Sequence, residues 1–362
     1  LPETFQTNSN SRKAFVTQSK PKVVVIGLGP IGLSCARAIR AERDIKLVGL
    51  VDIDVAKHGR SIEEITGKPG TGDADEKALR VVGSIDEVAE QADIAVLATT
   101  SKLDVAEPTL RKLISKGISV VSSCEEMTWP WYRHAALAQS LDDLAKEAGV
   151  TLLGTGVNPG FVLDLLPVTL ASMVRRVSLV RCTRRVDAGL RRDSLQAKVG
   201  ATMTAAQFEG FKAQNRIGHV GLCESVAMLA AGLGRTAEPG SVVETLEPVF
   251  AQTPTPSALG LIAQGRVAGI HNKASWDNDG LRIELDLTMA VGIQDTKDLI
   301  EVEGPVEFRM KIPGSLPGDS ATVAALLNAI GSSHKWQSGL KTMLDVPPSG
   351  CHNRDWEPDE QA

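Results

Sequence analysis

KVVVIGLGPIGLSCARAIRAER, residues 22–43, decides the fold. Residues 22–27 form a short β-branched run, which reads as a buried strand. It breaks directly into Gly27-Leu28-Gly29-Pro30-Ile31-Gly32, and Leu33, Ala36 and Ile39 then recur at helical spacing. A G-x-G-x-x-G set between a strand and a helix is a dinucleotide-binding signature. Gly27 permits the tight turn, Gly29 puts no side chain between backbone and pyrophosphate, and Gly32 lets the helix pack on the strand. Pro30 and Ile31 open the helix, whose free N–H groups and positive end suit phosphates.

The next strand, IKLVGLVD (45–52), ends in Asp52, about twenty residues beyond the last glycine of the motif. An acid there accepts hydrogen bonds from the adenosine ribose and favours NAD. Lys57 and Arg60 follow closely, so NADP stays open. The α/β alternation continues. A short helix is expected at 84–91, a strand at 93–99, a helix at 105–116, a strand at 118–122, a long helix within 129–148 and a strand at 150–153. Thr99, Thr100 and Ser101 fall at a strand's carboxyl end, where open α/β sheets bind ligands. The Gly-rich stretch 154–160 carries Asn158 and reads as backbone pressed against the nicotinamide end.

Beyond residue 173 the pattern changes. Segment 177–187 reads as a strand, 194–214 as partly helical and 220–233 as an apolar helix. Alternating strands follow at 242–251, 265–276, 280–292 and 306–312, with Asn278-Asp279-Gly280 as a turn. A helix from 321 to 330, capped by Asp319 or Ser320, is expected to return to the first sheet. The fold class is therefore α/β, a Rossmann dinucleotide-binding domain plus an α+β substrate and dimerisation domain with a mainly antiparallel sheet. The expected division is 20–154 with 313–346 for the dinucleotide, and 155–312 for substrate and dimerisation. Polar tails are expected at 1–19, where LPET matches a sortase tag, and at 347–362.

Composition bounds the function. With 43% hydrophobic and 23% charged residues in 362, the chain can bury sizeable cores and is not globally disordered. A net charge of −5 gives no basic footprint for nucleic acid. No run approaches the ~18 apolar residues of a membrane span. The five cysteines are scattered, without C-x-x-C, and the histidines show no H-x-x-x-H, so neither disulfides nor a metal site is expected. A reducing, cytoplasmic setting follows.

Glu125 and Glu126 are the strongest catalytic candidates, because they follow the strand end that should flank the nicotinamide. On an extended segment adjacent side chains point apart, so one carboxylate should face the substrate and the other should make a structural bond. Surface acids capping the next helix are the bland alternative. His219 precedes an apolar helix and reads as a proton shuttle, a substrate contact or a structural histidine. His271 reads as a strand-edge residue, and Cys124 as a small packing residue. Met127, Trp129 and Trp131 could exclude water, with Trp129 as a substrate contact.

GLGPIG, SSCEEMTWPW (122–131), GTGVNPGFVLDLLP (154–167), RIGHVGLCESVAML (216–229) and PGDSATVAALLNAI (317–330) together resemble the 2,4-diaminopentanoate dehydrogenase family and the related native amine dehydrogenases of the dihydrodipicolinate-reductase-like group. The resemblance spans residues 22 to 347. It implies NAD or NADP, oxidation of a primary amine or diamino acid to an imine that water hydrolyses, and the reverse reductive amination of a ketone or aldehyde with ammonia. It also implies a glutamate that handles the proton, which maps to Glu125 or Glu126, and a homodimer. The paired-His and Lys motif of dihydrodipicolinate reductases is absent. So is the Cys-Glu-Lys-Pro of glucose–fructose oxidoreductase-type enzymes, since the chain has Cys124-Glu125-Glu126-Met127. The alternatives are an imine or carbonyl reductase and a non-catalytic NAD(P) sensor. A carboxylate on the substrate would need a cation, for which Arg181, Arg184, Arg185, Arg191, Arg192 and Lys198 are candidates.

Overall fold

A computed structural model describes residues 20–70, 72–347 and 350. The expected tails, with Cys351, lie outside the described residues except for 347 and 350.

The first half alternates strand and helix. Its elements are β1 (Lys22–Ile26), α1 (Pro30–Ala41), β2 (Lys46–Val51), α2 (Ile62–Thr66), α3 (Ala74–Ala78), β3 (Val81–Val82), β4 (Ile94–Leu97), α4 (Leu103–Ser115), β5 (Ser119–Ser122), α5 (Trp131–Ala148) and β6 (Thr151–Gly154). The second half runs α6 (Leu165–Ala171), β7 (Leu179–Asp187), α7 (Asp193–Lys198), α8 (Ala205–Ala213), α9 (Leu222–Gly232), β8 (Val243–Phe250), β9 (Thr255–Ser257), β10 (Gly260–Ile262), β11 (Val267–Asn278), β12 (Leu281–Ala290), β13 (Lys297–Glu303) and β14 (Phe308–Pro313). The chain then forms α10 (Gly318–Gly331) and β15 (Gly339–Lys341).

Seven strands make a parallel sheet in the order β15-β6-β5-β4-β1-β2-β3. Its central strands are buried on both faces, which is why Val23, Val24 and Val25 form an unbroken apolar run. Leu110 and Leu113 of α4 and Leu141 of α5 cover one face. Ile39 of α1 with Leu326 and Ile330 of α10 cover the other. Fully burying such a side chain contributes roughly 1.5–3 kcal/mol. Thus α10 and β15, from the end of the described chain, complete a sheet begun at residue 22.

The second sheet is ordered β14-β13-β7-β12-β11-β8, and only β7–β12 is parallel among its pairs. Val180, Ile283 and Leu285 face inward onto α9, whose Val226 and Ala230 belong to the same core. Asp279 and Gly280 link β11 to β12 with φ of +48° and +76°. Two positive values match the two-residue hairpin turn that Asp-Gly favours.

Segment 194–214 is partly helical as expected, with α7 and α8 on either side of a loop. Three local expectations need correction. The 84–91 segment holds only a 3₁₀ turn, Ile85–Glu87. Neither Asp319 nor Ser320 caps α10, because the helix starts at Gly318 and Asp319 is held by two arginines. Glu125 and Glu126 are not extended: they open a 3₁₀ turn, Glu125–Thr128, before α5.

Candidate active site

The turn after β1 fits a dinucleotide on steric grounds. Gly27 has φ of +89°, and a Cβ there would lie 2.6 Å from the Ala98 carbonyl oxygen. A Cβ on Gly32 would lie 1.8 Å from the Gly27 oxygen. Gly29 caps α1 with no side-chain partner, and nothing lies within 4 Å of where its Cβ would stand. The space over Gly29 is therefore open to a phosphate, and Pro30, lacking an N–H, suits the first helical position. At the end of β2, Asp52 accepts from Leu28 N at 2.6 Å, from Asp54 N at 2.8 Å and from Lys57 Nζ at 2.8 Å. Burial opposes its charge, but Lys57 and the two N–H groups outweigh burial and hold the carboxyl below its ordinary value.

A cleft of about 420 Å³ lies at the carboxyl ends of β1, β4, β5 and β6. Gly29, Pro30, Ile31, Thr99, Thr100, Ser101, Glu125 and Asn158 are among the residues that line it. Arg184, Arg191, Arg192, Lys198, His219 and Leu287 line it from further along the chain. The sheet end and the second half of the chain thus meet over the glycine turn. Gly27, Gly32 and Asp52 support the turn and the β2 end from outside this lining.

The two glutamates have separate surroundings. Glu125 enters the cleft, with Lys198 Nζ 4.0 Å from its Oε1 and its side chain about one-fifth exposed. Desolvation pushes its carboxyl above the ordinary range; Lys198 and a Ser101 hydrogen bond pull it back. Glu126 turns inward. Its Oε2 accepts from Leu103 N at 2.9 Å and meets His134 Nε2 at 2.9 Å. Lys102 gives α4 no side-chain cap, so Glu126 supplies one from the end of the neighbouring strand β5. This arrangement puts one carboxylate on the cleft and the other in a structural bond. Its basis is the 3₁₀ turn rather than strand alternation.

Glu125 is seated by a tight contact with α9. Gly221, with φ of +104°, precedes this helix, and a Cβ on it would lie 2.7 Å from Pro159 Cγ and 3.1 Å from Glu125 Cβ. His219 Nε2 lies 3.1 Å from Asn158 Nδ2. Burial, then the charges of Lys198 and Arg184, push the His219 imidazole down to about 3. It is neutral near pH 7 and unsuited to carrying a proton there. With the amide as oriented, Asn158 donates to Nε2 and leaves the hydrogen on Nδ1.

The cationic residues divide by partner. Arg184 is consumed by Asp298, at 2.8 Å to both carboxylate oxygens. Arg191 and Arg192 share the single carboxylate of Asp319. That two-to-one pairing leaves a surplus positive charge in the lining of the cleft. Arg181 is paired with Glu284, away from the cleft lining. Sequence spacing gave no signal for the Asp319 cluster, whose members lie more than a hundred residues apart.

Several proposed contacts fall elsewhere. Trp129 is outside the cleft lining; it packs edge-on against Trp131 and beside the second core. Met127 is buried in the first core, and Trp131 packs against that core. His271 pairs with Asp286 at 2.9 Å across β11 and β12. Cys124 is buried, and desolvation first, then Glu125, pushes its thiol up to about 12, which removes it as a nucleophile.

A parallel sheet with a glycine turn and a terminal acid, closed over by a second α/β unit, defines a nicotinamide-dinucleotide-dependent dehydrogenase. The chain belongs to the 2,4-diaminopentanoate dehydrogenase family. The model of that family's C-terminal domain matches residues 161–358. The 2,4-diaminopentanoate dehydrogenase of Acetoanaerobium sticklandii is 30% identical over 338 residues, 91% of this chain and 94% of that one. An amine dehydrogenase of Streptomyces virginiae is 26% identical over 172 residues, 45% of each chain. The solved structure of an amine dehydrogenase from Mycobacterium smegmatis superposes with a TM-score of 0.80 at 24% identity, covering 94% of this chain and 98% of that one.

Proposed function

We propose that the protein is an NAD(P)-dependent amine dehydrogenase. It oxidatively deaminates a primary amine that bears a carboxylate and, in reverse, aminates the matching carbonyl compound with ammonia. The observation that carries this reading is Glu125, the one acid of the Cys-Glu-Glu stretch that enters the cleft beside the glycine turn. Residues 20–154 with 313–346 hold the dinucleotide in this reading, with Gly27 to Gly32 and Asp52 as its cradle. Thr99 to Ser101 and Asn158 stand at its nicotinamide end. Residues 155–312 supply the substrate wall and the contact of a homodimer, which sedimentation velocity checks. The cytoplasm is the proposed setting.

Glu125 removes a proton from the substrate ammonium and returns it in the reductive direction. Its raised affinity for protons suits a base working near neutrality. A bound nicotinamide ring supplies the hydride exchange. Lys198 opposes the desolvation that favours the protonated form of Glu125. The surplus guanidinium of the Arg191–Arg192 pair attracts the substrate carboxylate. His219, neutral and tied to Asn158, orients without exchanging protons.

The test is NADH and NADPH oxidation at high ammonia against paired ketones and aldehydes, with and without a carboxylate. Ammonia-dependent turnover that prefers the carboxylated partner supports the reading. Turnover without ammonia would replace it with a carbonyl reductase. Tight dinucleotide binding without any turnover would replace it with a sensor.

A further inference from the structure

Asp164, at the start of α6, is fully buried and lies outside the cleft lining. Its Oδ1 accepts from Leu165 N at 2.7 Å and caps that helix. Capping needs one oxygen, which Ser, Thr or Asn supplies without a charge. A desolvated carboxylate costs stability that an uncharged cap would not. What aspartate adds is the second oxygen. Oδ2 accepts from Gly160 N at 2.9 Å and from Ser225 Oγ at 2.7 Å. Gly160 ends the stretch that carries Asn158 and Pro159, and Val162 N closes that stretch by donating to the Val157 carbonyl oxygen at 2.9 Å. Ser225 lies in the first turn of α9, where its N–H donates to the Gly221 carbonyl oxygen at 2.9 Å. One buried oxygen therefore joins the two segments that pack beside Glu125, where Gly221 abuts Pro159 and Asn158 meets His219.

We propose, resting on the reading of Glu125 as the proton carrier, that Asp164 is a positioning residue for it: the carboxylate staples the Asn158–Pro159 stretch to α9, and the closed joint keeps water from that side of Glu125. Lys198 of α7, Glu126 and the Cys124 thiol are the titratable groups coupled to Glu125, and Ser101 bonds it. His219, across the joint, is neutral near pH 7. Asp164 acts through packing instead. Desolvation is the largest influence raising the Glu125 carboxyl, so a loosened joint that admits water lowers it.

Ser225→Ala and Asp164→Asn in the full chain test it. Ser225→Ala removes one donor and no charge, and it carries the test if Asp164→Asn does not fold. The ¹³C carboxyl resonance of Glu125, assigned by its loss in Glu125→Gln, is expected to titrate lower by about half a pH unit or more. The acid limb of the kcat/KM profile for deamination should move down with it. Turnover should fall by roughly threefold or more while NAD⁺ affinity stays within about threefold. The carboxyl titration needs no turnover. A wild type that deaminates nothing would remove the amine reading, and the titration would still decide whether Asp164 positions Glu125. A downward move in either variant supports the staple. A titration unmoved or raised in every folded variant, whatever the melting temperature does, would reduce Asp164 to a helix cap and overturn the proposal.

Discussion

Lys198 Nζ stands 4.0 Å from Glu125 Oε1, and both residues line the cleft. The proposed base follows β5 of the first sheet, and the charge beside it lies at the end of α7, in the second half of the chain. Burial raises the affinity of Glu125 for its proton, and Lys198 opposes this. Without Lys198 the carboxyl stays protonated to higher pH. In Lys198→Met the acid limb of the kcat/KM profile for deamination should move to higher pH. Activity on the acid limb should fall and recover in more alkaline buffer. An unmoved limb would mean that Lys198 does not tune the base.

The two glutamates should separate on substitution. Glu125→Gln should lose roughly 10²–10⁴-fold in kcat and keep its dinucleotide affinity within about threefold, as fits a group acting only on the substrate proton. Glu126→Ala should lower stability by about 1–2 kcal/mol, through the lost cap on Leu103, and reduce kcat less than Glu125→Gln. Thermal unfolding beside steady-state kinetics reads both effects. The assignment fails if the ranking in kcat is reversed.

Glycine substitutions distinguish packing from cofactor space. A methyl on Gly29 meets nothing within 4 Å, so Gly29→Ala should fold normally and lose dinucleotide affinity by tenfold or more. A methyl on Gly32 collides with the Gly27 carbonyl oxygen, so Gly32→Ala should lose stability and affinity together. Melting curves with and without NAD⁺ make the comparison. Normal coenzyme binding by Gly29→Ala would place the phosphates elsewhere.

Gly221 should act on catalysis through Glu125. Its φ is positive, and an added Cβ presses on Pro159 and on the Cβ of Glu125. Gly221→Ala should cost about 1–3 kcal/mol from strain and crowding. It should also depress kcat more than the affinity for NAD⁺, because the displaced group is the proposed base and not the glycine turn. Equal losses in kcat and NAD⁺ affinity would show general damage instead.

Much of the first sheet was legible because parallel strands buried on both faces write continuous apolar runs, as at 23–25. The hairpin at Asp279-Gly280 was legible for a similarly local reason. The residues that complete the site were not. Which glutamate faces the cleft depends on a 3₁₀ turn and on a bond to His134, a residue on the following helix. Asp319 looked like a helix cap because a carboxylate near a helix start usually is one. Its actual partners, Arg191 and Arg192, arrive by tertiary packing from more than a hundred residues away. Trp129 sat beside the catalytic stretch in sequence, yet the turn that admits Glu125 sends its ring toward the second core.

The late arrival of α10 has a consequence for biosynthesis. Val25, Ile39, Val121 and Leu153 share one apolar core with Val323, Leu326 and Ile330. A ribosome finishes β6 well before it begins α10, and at roughly 5–20 residues per second the gap is on the order of ten seconds. Throughout that interval the nascent sheet presents an uncovered greasy flank. Chaperone dependence should therefore be concentrated in a window of translation that opens after residue 154 and closes only when residue 330 clears the exit tunnel.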